Sequence, residues 1–292
     1  MDVLPAFPPS GIEQWLGLAA AVLGALLLVF LPFELWQRHR AGTLNRKAVL
    51  EMLASASVTV PAVLMGGVVL GFITALWGGA AALSPWSIPT TPWTALACVL
   101  LVDLLYYWDH RCAHQFRPYW AVSHSVHHSS HQFDQTTALR VSFVDGFLSP
   151  WFYLPAVLVG FNPVLVAACF GLILAWQQWI HTETVGRLRW FDGWLNTPSN
   201  HRVHHGVQVQ YIDKNYGAVL MIWDRLFGTF AREEEPVRYG LTQAIDSSNP
   251  WTIHTLEIGR WWRDVRAARS GPELWGALVS MRKSAGQTKG AA

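Results

Sequence analysis

The sequence predicts an all-α integral membrane protein with about four transmembrane helices and a histidine-rich helical cap on the cytosolic side. Three observations carry this. Hydrophobic residues make up 52%, charged residues 14%, and there are 17 Trp, whereas soluble domains carry about 25% charged residues. The apolar residues come in long blocks. Ten of the twelve histidines lie in the 96 residues from His110 to His205.

The first apolar block, Leu16 to Phe33, is bracketed by Trp15 and Trp36. It matches the ~20 residues that cross a bilayer, with Trp at each interface. No positive charge precedes it, and Arg38, His39 and Arg40 follow where a cleavage site would need small residues, so a cleaved signal peptide is not expected. A second span is expected from about Leu53 to Trp77, with Pro61 and several glycines tolerated as in membrane helices. The third runs from about Trp93 to Trp108. Phe147–Gly160 and Val164–Ile180 are apolar runs of 14 and 17 residues joined at Phe161-Asn162-Pro163. Each is short for a crossing, so a tilted or shallow helical hairpin and two complete spans both fit.

The loops set the orientation. Segment 37–47 carries Arg38, Arg40, Arg46 and Lys47, whereas 78–92 carries no charge. The positive-inside rule therefore places 37–47 in the cytoplasm and the N-terminus and 78–92 outside. The third span then returns the chain to the cytoplasm at Asp109, and every histidine cluster falls on that face. A net charge of +2 without a basic stripe excludes a nucleic-acid partner. Cys98, Cys112 and Cys169 have no metal-type spacing and read as packing residues.

The histidines repeat a spacing. "DHRCAH" places His110 and His114 at i, i+4; "HSVHH" places His124, His127 and His128 at offsets 0, 3 and 4; "HRVHH" repeats that pattern at His201, His204 and His205. His181 stands where the hairpin ends. On a helix such offsets share one face. One cluster could be a polar helix face, but three at a membrane surface point to metal, which holds imidazoles neutral and removes their mutual repulsion. Eight or nine imidazoles exceed a four-ligand structural zinc site and suit two ions, each with four or five nitrogens. Ligand softness alone admits Fe, Zn, Cu or Ni. Iron is preferred because an open, histidine-rich site at a membrane face suits O2 activation on lipid, and zinc could replace it in a purified sample.

In this order, "DLLYYWDHRCAH" (103–114), "HSVHHSS" (124–130), "TTALR" (136–140), "WIHTE" (179–183), "NTPSNHRVHHG" (196–206) and "YIDKNYGAVLMIWDRLFGTF" (211–230) resemble the fatty acid hydroxylase/sterol desaturase superfamily of membrane di-iron enzymes. The resemblance covers roughly Leu96 to Gly240 and is nearest in motif to the alkylglycerol monooxygenase branch and its bacterial members. It implies enzymes that hydroxylate, desaturate or oxidatively cleave lipids with O2. Carried over by motif, His110, His114, His124, His127, His128, His201, His204 and His205 match the ligand set, and His181 a further histidine that often completes it. His131 stands where alkylglycerol-type relatives usually carry Glu, and Asn200 where many carry His. The first change removes an anionic group near the metals and bears directly on the ether-lipid substrate.

Asp103, His131 and Glu183 are candidates for orienting the ligands. Asp103 lies two turns before His110 and could accept a hydrogen bond from a ligand's outer nitrogen or pair with Arg111 or Arg140. Glu183 has the same two readings, and His131 is a ligand, an orienting group or a surface residue. Segment 219–230 reads as a buried helix packing the histidine helices together, with Asp224–Arg225 paired or capping. Asn249-Pro250 reads as an N-cap and first helical residue. The Trp- and Arg-rich stretch 251–269 fits an amphipathic helix lying on an anionic leaflet or packed on the cap. Residues 284–292 are expected to be disordered.

The whole chain, 1–292, therefore reads as a single membrane hydroxylase-type domain with its histidine core at about 96–240, followed by an amphipathic helix and tail over 241–292. The expected activity is O2-dependent hydroxylation of a lipid C–H bond at a di-iron site. Desaturation, and more distantly a membrane zinc hydrolase, are the alternatives. A metal transporter would need ionisable residues within the spans, which the first two lack apart from Glu34. No haem, flavin or ferredoxin segment is present. The electrons must come from an external ferredoxin or cytochrome b5-type carrier with a reductase. The expected location is a bacterial inner membrane, with the cap in the cytoplasm.

Overall fold

The structure, a computed structural model, describes residues 11–243 and 245–279; the expected disordered tail lies outside them. The described residues are helical, with a single antiparallel bridge between Leu195 and Leu220 and no strand. Two helices are long and apolar enough to cross a membrane: α1 (Gly11–Arg40) and α2 (Arg46–Leu83). They are apolar on all sides, with almost none of their apolar stretch buried against protein. A long helix with no polar face, whose apolar side chains stay largely uncovered, is suited to lipid. Asn45 caps α2 by accepting from Ala48 N at 3.0 Å, which starts the helix within the basic loop.

The third expected span lies within α3 (Pro92–Gln115). Thr91 and Thr94 form a reciprocal capping box, and Pro92 occupies the first turn, where its missing N–H costs nothing. Twenty-four residues give about 36 Å of helix. Its second half is less apolar than α1 or α2 because it carries Asp103, Asp109, His110, Arg111 and His114.

The expected hairpin has one regular arm. Helix α4 (Pro163–Trp179) is continuous, capped by Asn162 and packed along α1 and α3. The first arm breaks into Asp145–Leu148, the 3₁₀ turn Ser149–Tyr153 and Leu154–Leu158. Pro150 and Pro155 remove the N–H groups a continuous helix would need. The turn between the arms still reaches the far end of the bundle: Ile88 N donates to Gly160 O at 2.9 Å and Ser84 Oγ to Leu158 O at 2.9 Å. Gly160 has φ +103°, and a Cβ there would meet the Trp86 backbone at 2.9 Å, so only glycine fits.

These contacts define two ends. Thr90 Oγ1 donates to Glu13 at 3.0 Å, placing the start of α1 beside the 84–92 loop. At the opposite end Arg38 pairs with Asp134 and Gln132, and the histidine-bearing segments gather there. Between the ends, Trp77, Cys98, Val102, Tyr153, Leu165, Cys169 and Ile173 form the core.

Two expectations for the later chain change. Segment 219–230 is not a buried helix: only α6 (Ile222–Leu226) is helical, after the seven-residue α5 (Pro198–His204), and Ile222 and Leu226 are exposed. Asp224 O accepts from Thr229 N and Phe230 N, and Gly228 at φ +73° ends the helix. Asp224 does not pair with Arg225 but accepts from Tyr216 N, Gly217 N and Thr229 Oγ1. Helix α7 (Pro250–Ala267), capped by Asn249 as the sequence suggests, packs on the cap, where Glu257 binds Arg117 at 2.9 Å and Ile253 is buried. Helix α8 (Gly271–Val279) follows and packs against α7.

Candidate metal centre

Four segments converge at the cap. The last turns of α3 present His110 and His114 on one face. A π-helical turn, Trp120–His124, runs into Ser125–His127 and presents the second box. His181 follows the end of α4, and α5 with its C-terminal residue supplies His201, His204 and His205. The nine imidazoles resolve into two groups, His110, His114, His124, His128 and His204 in one and His127, His181, His201 and His205 in the other. Within each group the nitrogens that could ligate lie within 4.8 Å of one another. The two triple boxes divide in opposite senses. His124 and His128 join the first group and His127 the second, whereas His201 and His205 join the second and His204 the first.

Nε2 atoms approach closely: His110–His124, His114–His128 and His128–His204 at 3.1 Å, His127–His181 at 3.2 Å and His181–His201 at 2.9 Å. Adjacent nitrogens at ~2.1 Å from a shared octahedral ion would stand about 3.0 Å apart. Burial pushes the imidazoles down, His110 to about 3, His127 to about 4 and His124, His128, His181, His201, His204 and His205 well below their ordinary range. They are therefore neutral, with lone pairs free. His205 Nε2 is buried without a hydrogen-bond partner; a metal ion would satisfy it. By donor chemistry and spacing, the residues fit two metal ions.

The outer nitrogens are held by backbone. His110 Nδ1 lies 2.9 Å from Tyr216 O, His204 Nδ1 2.9 Å from Lys214 O, and His181 Nδ1 2.7 Å from Gln177 O. His114 Nδ1 lies 3.6 Å from Asp213 Oδ1. Such bonds fix the tautomer and aim Nε2 inward. Sequence reasoning missed this role of 213–216. Its signal was Asp213 and Asn215, residue types that tolerate the left-handed backbone they adopt at φ +60° and +57°. Asn215 is locked by donating to Asn200 O and Ala231 O. Asn200 itself donates to Asp192 O and Leu195 O, a bracing position.

The hydrogen bonds of the three candidate orienting residues go to other groups than the nine histidines. Asp103 accepts from Val219 N (2.8 Å), Leu220 N (3.3 Å) and Trp223 Nε1 (2.7 Å), and pairs with neither Arg111 nor Arg140. Glu183 accepts from Tyr239 OH, whose ring stacks on Phe133 beside His181, His201 and His205. His131 lies behind Gly240, with Nδ1 3.0 Å from Ser247 Oγ. Arg140 is fully buried and binds Glu51, Ser55, Ser129 and Ser247.

A cavity of about 480 Å³ reaches His110, His124, His127, His181 and His201. It runs between α2, α3 and α4, past Gly66, Val69, Ile73 and Leu174 to Trp77 and Phe170. Its size and apolar walls suit a small-molecule or lipid site.

Residues 95–229 match the fatty acid hydroxylase family. The chain is similar to alkylglycerol monooxygenases: 45% identical over 169 residues to that of Xenopus tropicalis (58% of this chain, 37% of the relative). It is 41% identical over 216 residues to that of Danio rerio (74% and 47%) and 43% over 178 residues to that of Homo sapiens (61% and 39%). The matches thus span less than half the length of these relatives. No solved structure matches the chain.

Proposed function

We propose, for a chain whose residues 95–229 form a fatty acid hydroxylase domain, that it is a membrane oxygenase hydroxylating a C–H bond of a lipid. Two iron ions would be held, one by His110, His114, His124, His128 and His204 and the other by His127, His181, His201 and His205. The observation that carries this reading is the pair of closely packed, largely buried imidazole groups at one end of an apolar cavity. Bound iron would supply O2 activation, with two electrons from an external carrier. The protein's own contribution is positional. Burial keeps the imidazoles unprotonated, the carbonyls of Lys214, Tyr216 and Gln177 aim them, and the cavity walls hold an apolar chain against them and exclude water.

The rest of the architecture follows from this reading. The chain is one domain with its histidine core at about 96–240, followed by the C-terminal helices. α1, α2 and α3 would make three crossings, and the 147–180 hairpin would leave the cap side and return to it, a reading supported by the hairpin turn meeting the 84–88 loop. The cap faces the cytoplasm of a bacterial inner membrane, within reach of a ferredoxin or cytochrome b5-type carrier and its reductase. The similarity to alkylglycerol monooxygenases makes an ether lipid the first substrate to assay, with fatty acyl lipids and sterols beside it.

The test is metal analysis with product analysis, on purified protein loaded with ferrous iron and supplied with reductant and isotopically labelled O2. The expected result is two ions per chain and labelled alcohol product. An alkene product would make the enzyme a desaturase. Turnover that persists without oxygen would overturn the reading in favour of a zinc hydrolase.

A further inference from the structure

Asp103 stands seven residues, about 10 Å of helix, before His110 and in the middle of the apolar segment 93–108. A lone carboxylate there would face hydrocarbon at high cost. Chain from the cap covers it instead, through its bonds to Val219, Leu220 and Trp223. Beside it Gln177 of α4 donates to Ala218 O at 2.5 Å, Trp176 Nε1 to Asn196 O at 2.8 Å, and the Trp108 and Phe227 rings lie 4.9 Å apart. Segments 187–196 and 218–227 therefore run alongside α3 and α4 at the depth of the expected spans, beyond the histidines.

The two segments satisfy one another's backbone. Leu195 and Leu220 form the antiparallel bridge, Met221 N donates to Trp194 O at 2.9 Å, and Arg225 Nε donates to Gly193 O at 2.8 Å. Non-helical chain at membrane depth needs such pairing. Their outer face is largely apolar and uncovered: Trp190 is 76%, Trp194 62% and Leu226 68% exposed, with Phe191 and Ile222 beside them, while the exposed Arg225 is held by Gly193 O and lies over the Phe230 ring. A patch of this size and composition marks an interaction surface. Arg187 and Arg189 flank it, giving the aromatic and basic mixture typical of a membrane interface.

We propose that 187–196 and 218–227 form a re-entrant flap sunk into the leaflet next to the cap. Trp190, Trp194, Ile222 and Leu226 contact phospholipid acyl chains, and Arg187 and Arg189 lie at the phosphates. The proposal rests on α3 crossing the bilayer. Asp103 acts as a positioning residue that docks the flap onto α3.

The experiment is depth-dependent fluorescence quenching on the full chain in nanodiscs holding one copy, with Cys112→Ser to remove the half-exposed thiol. An environment-sensitive dye is attached singly at Trp194→Cys, Leu226→Cys, Glu235→Cys or Leu100→Cys. The Leu100 label reports whether α3 crosses. The expected result is that labels at 194, 226 and 100 are quenched by acyl-chain nitroxides and shielded from iodide, with 235 the reverse. A quenched 100 with iodide-accessible 194 and 226 overturns the flap alone. An iodide-accessible 100 overturns the membrane-spanning reading of α3 and the flap with it. Metal content of each labelled variant, unchanged from the parent, confirms that the cap is intact.

Discussion

His204 and His205 are neighbours in sequence and belong to different groups, so their loss separates the two sites. His204→Ala leaves four of five nitrogens in its group, whereas His205→Ala leaves three of four. We expect His205→Ala to lower bound metal more, with each variant keeping part of its metal; elemental analysis per chain reads this directly. The buried imidazoles also set a pH dependence for the metal-free protein. In the unfolded chain they protonate near 6.5, but in the fold His110 does so only at about 3 and His127 at about 4. As pH falls below ~6.5 the unfolded state binds protons that the folded state refuses, so stability falls. Thermal melts of apo protein should therefore drop steadily below that pH and level off above it, by about 1.4 kcal/mol per pH unit for each histidine in its window. Added metal should raise the whole curve and, by holding the rings unprotonated in the fold, extend its fall to lower pH.

Among the elements, those that place the histidines were legible because their spacing is local. Offsets of 3 and 4 residues share a helix face whatever surrounds them. The division of each box between two groups was not legible, since it depends on how the 120–128 turn and α5 face one another. Nor were the partners of Asp103, more than a hundred residues away on 219–223. The break in the 147–158 arm follows from Pro150 and Pro155, which an apolar-run reading passes over. Arg140 shows the same limit: its motif was visible, but its partners come from α2, residue 129 and residue 247. Its guanidinium is fully buried and bonded to Glu51 at 2.8 Å. Glu51→Ala would strand that charge, and breaking a buried pair costs roughly 3–5 kcal/mol. We expect a markedly lower unfolding temperature, while Glu51→Gln, which keeps an acceptor, should lose less. On α3, Asp103→Ala should lower metal affinity about tenfold or more, the usual cost of loosening groups behind the ligands, by releasing the segment whose Tyr216 carbonyl holds His110. Metal titration of the variant against the parent measures it, and unchanged affinity would separate the flap from the site.

For the whole molecule, loop charge and internal contacts independently support the proposed topology. Arg38, Arg40, Arg46 and Lys47 lie in the α1–α2 loop, and Arg38 pairs with Asp134 of the cap. Glu13 and Thr90 meet at the other end, where the 84–88 loop also binds the 158–160 turn. In the proposed topology the basic loop and the histidines share one aqueous side and the 84–92 loop lies on the other. The positive-inside rule assigns the first side to the cytoplasm. Single cysteines at Thr43, Gly186 and Ser87, in a Cys112→Ser background, test this with a membrane-impermeant thiol reagent on intact spheroplasts. The expected result is labelling at 87 alone, with 43 and 186 labelled only after the membrane is opened. Labelling of 43 and 186 but not 87 in intact cells would invert the topology and place the metal centre, with any electron carrier that serves it, outside the cytoplasm.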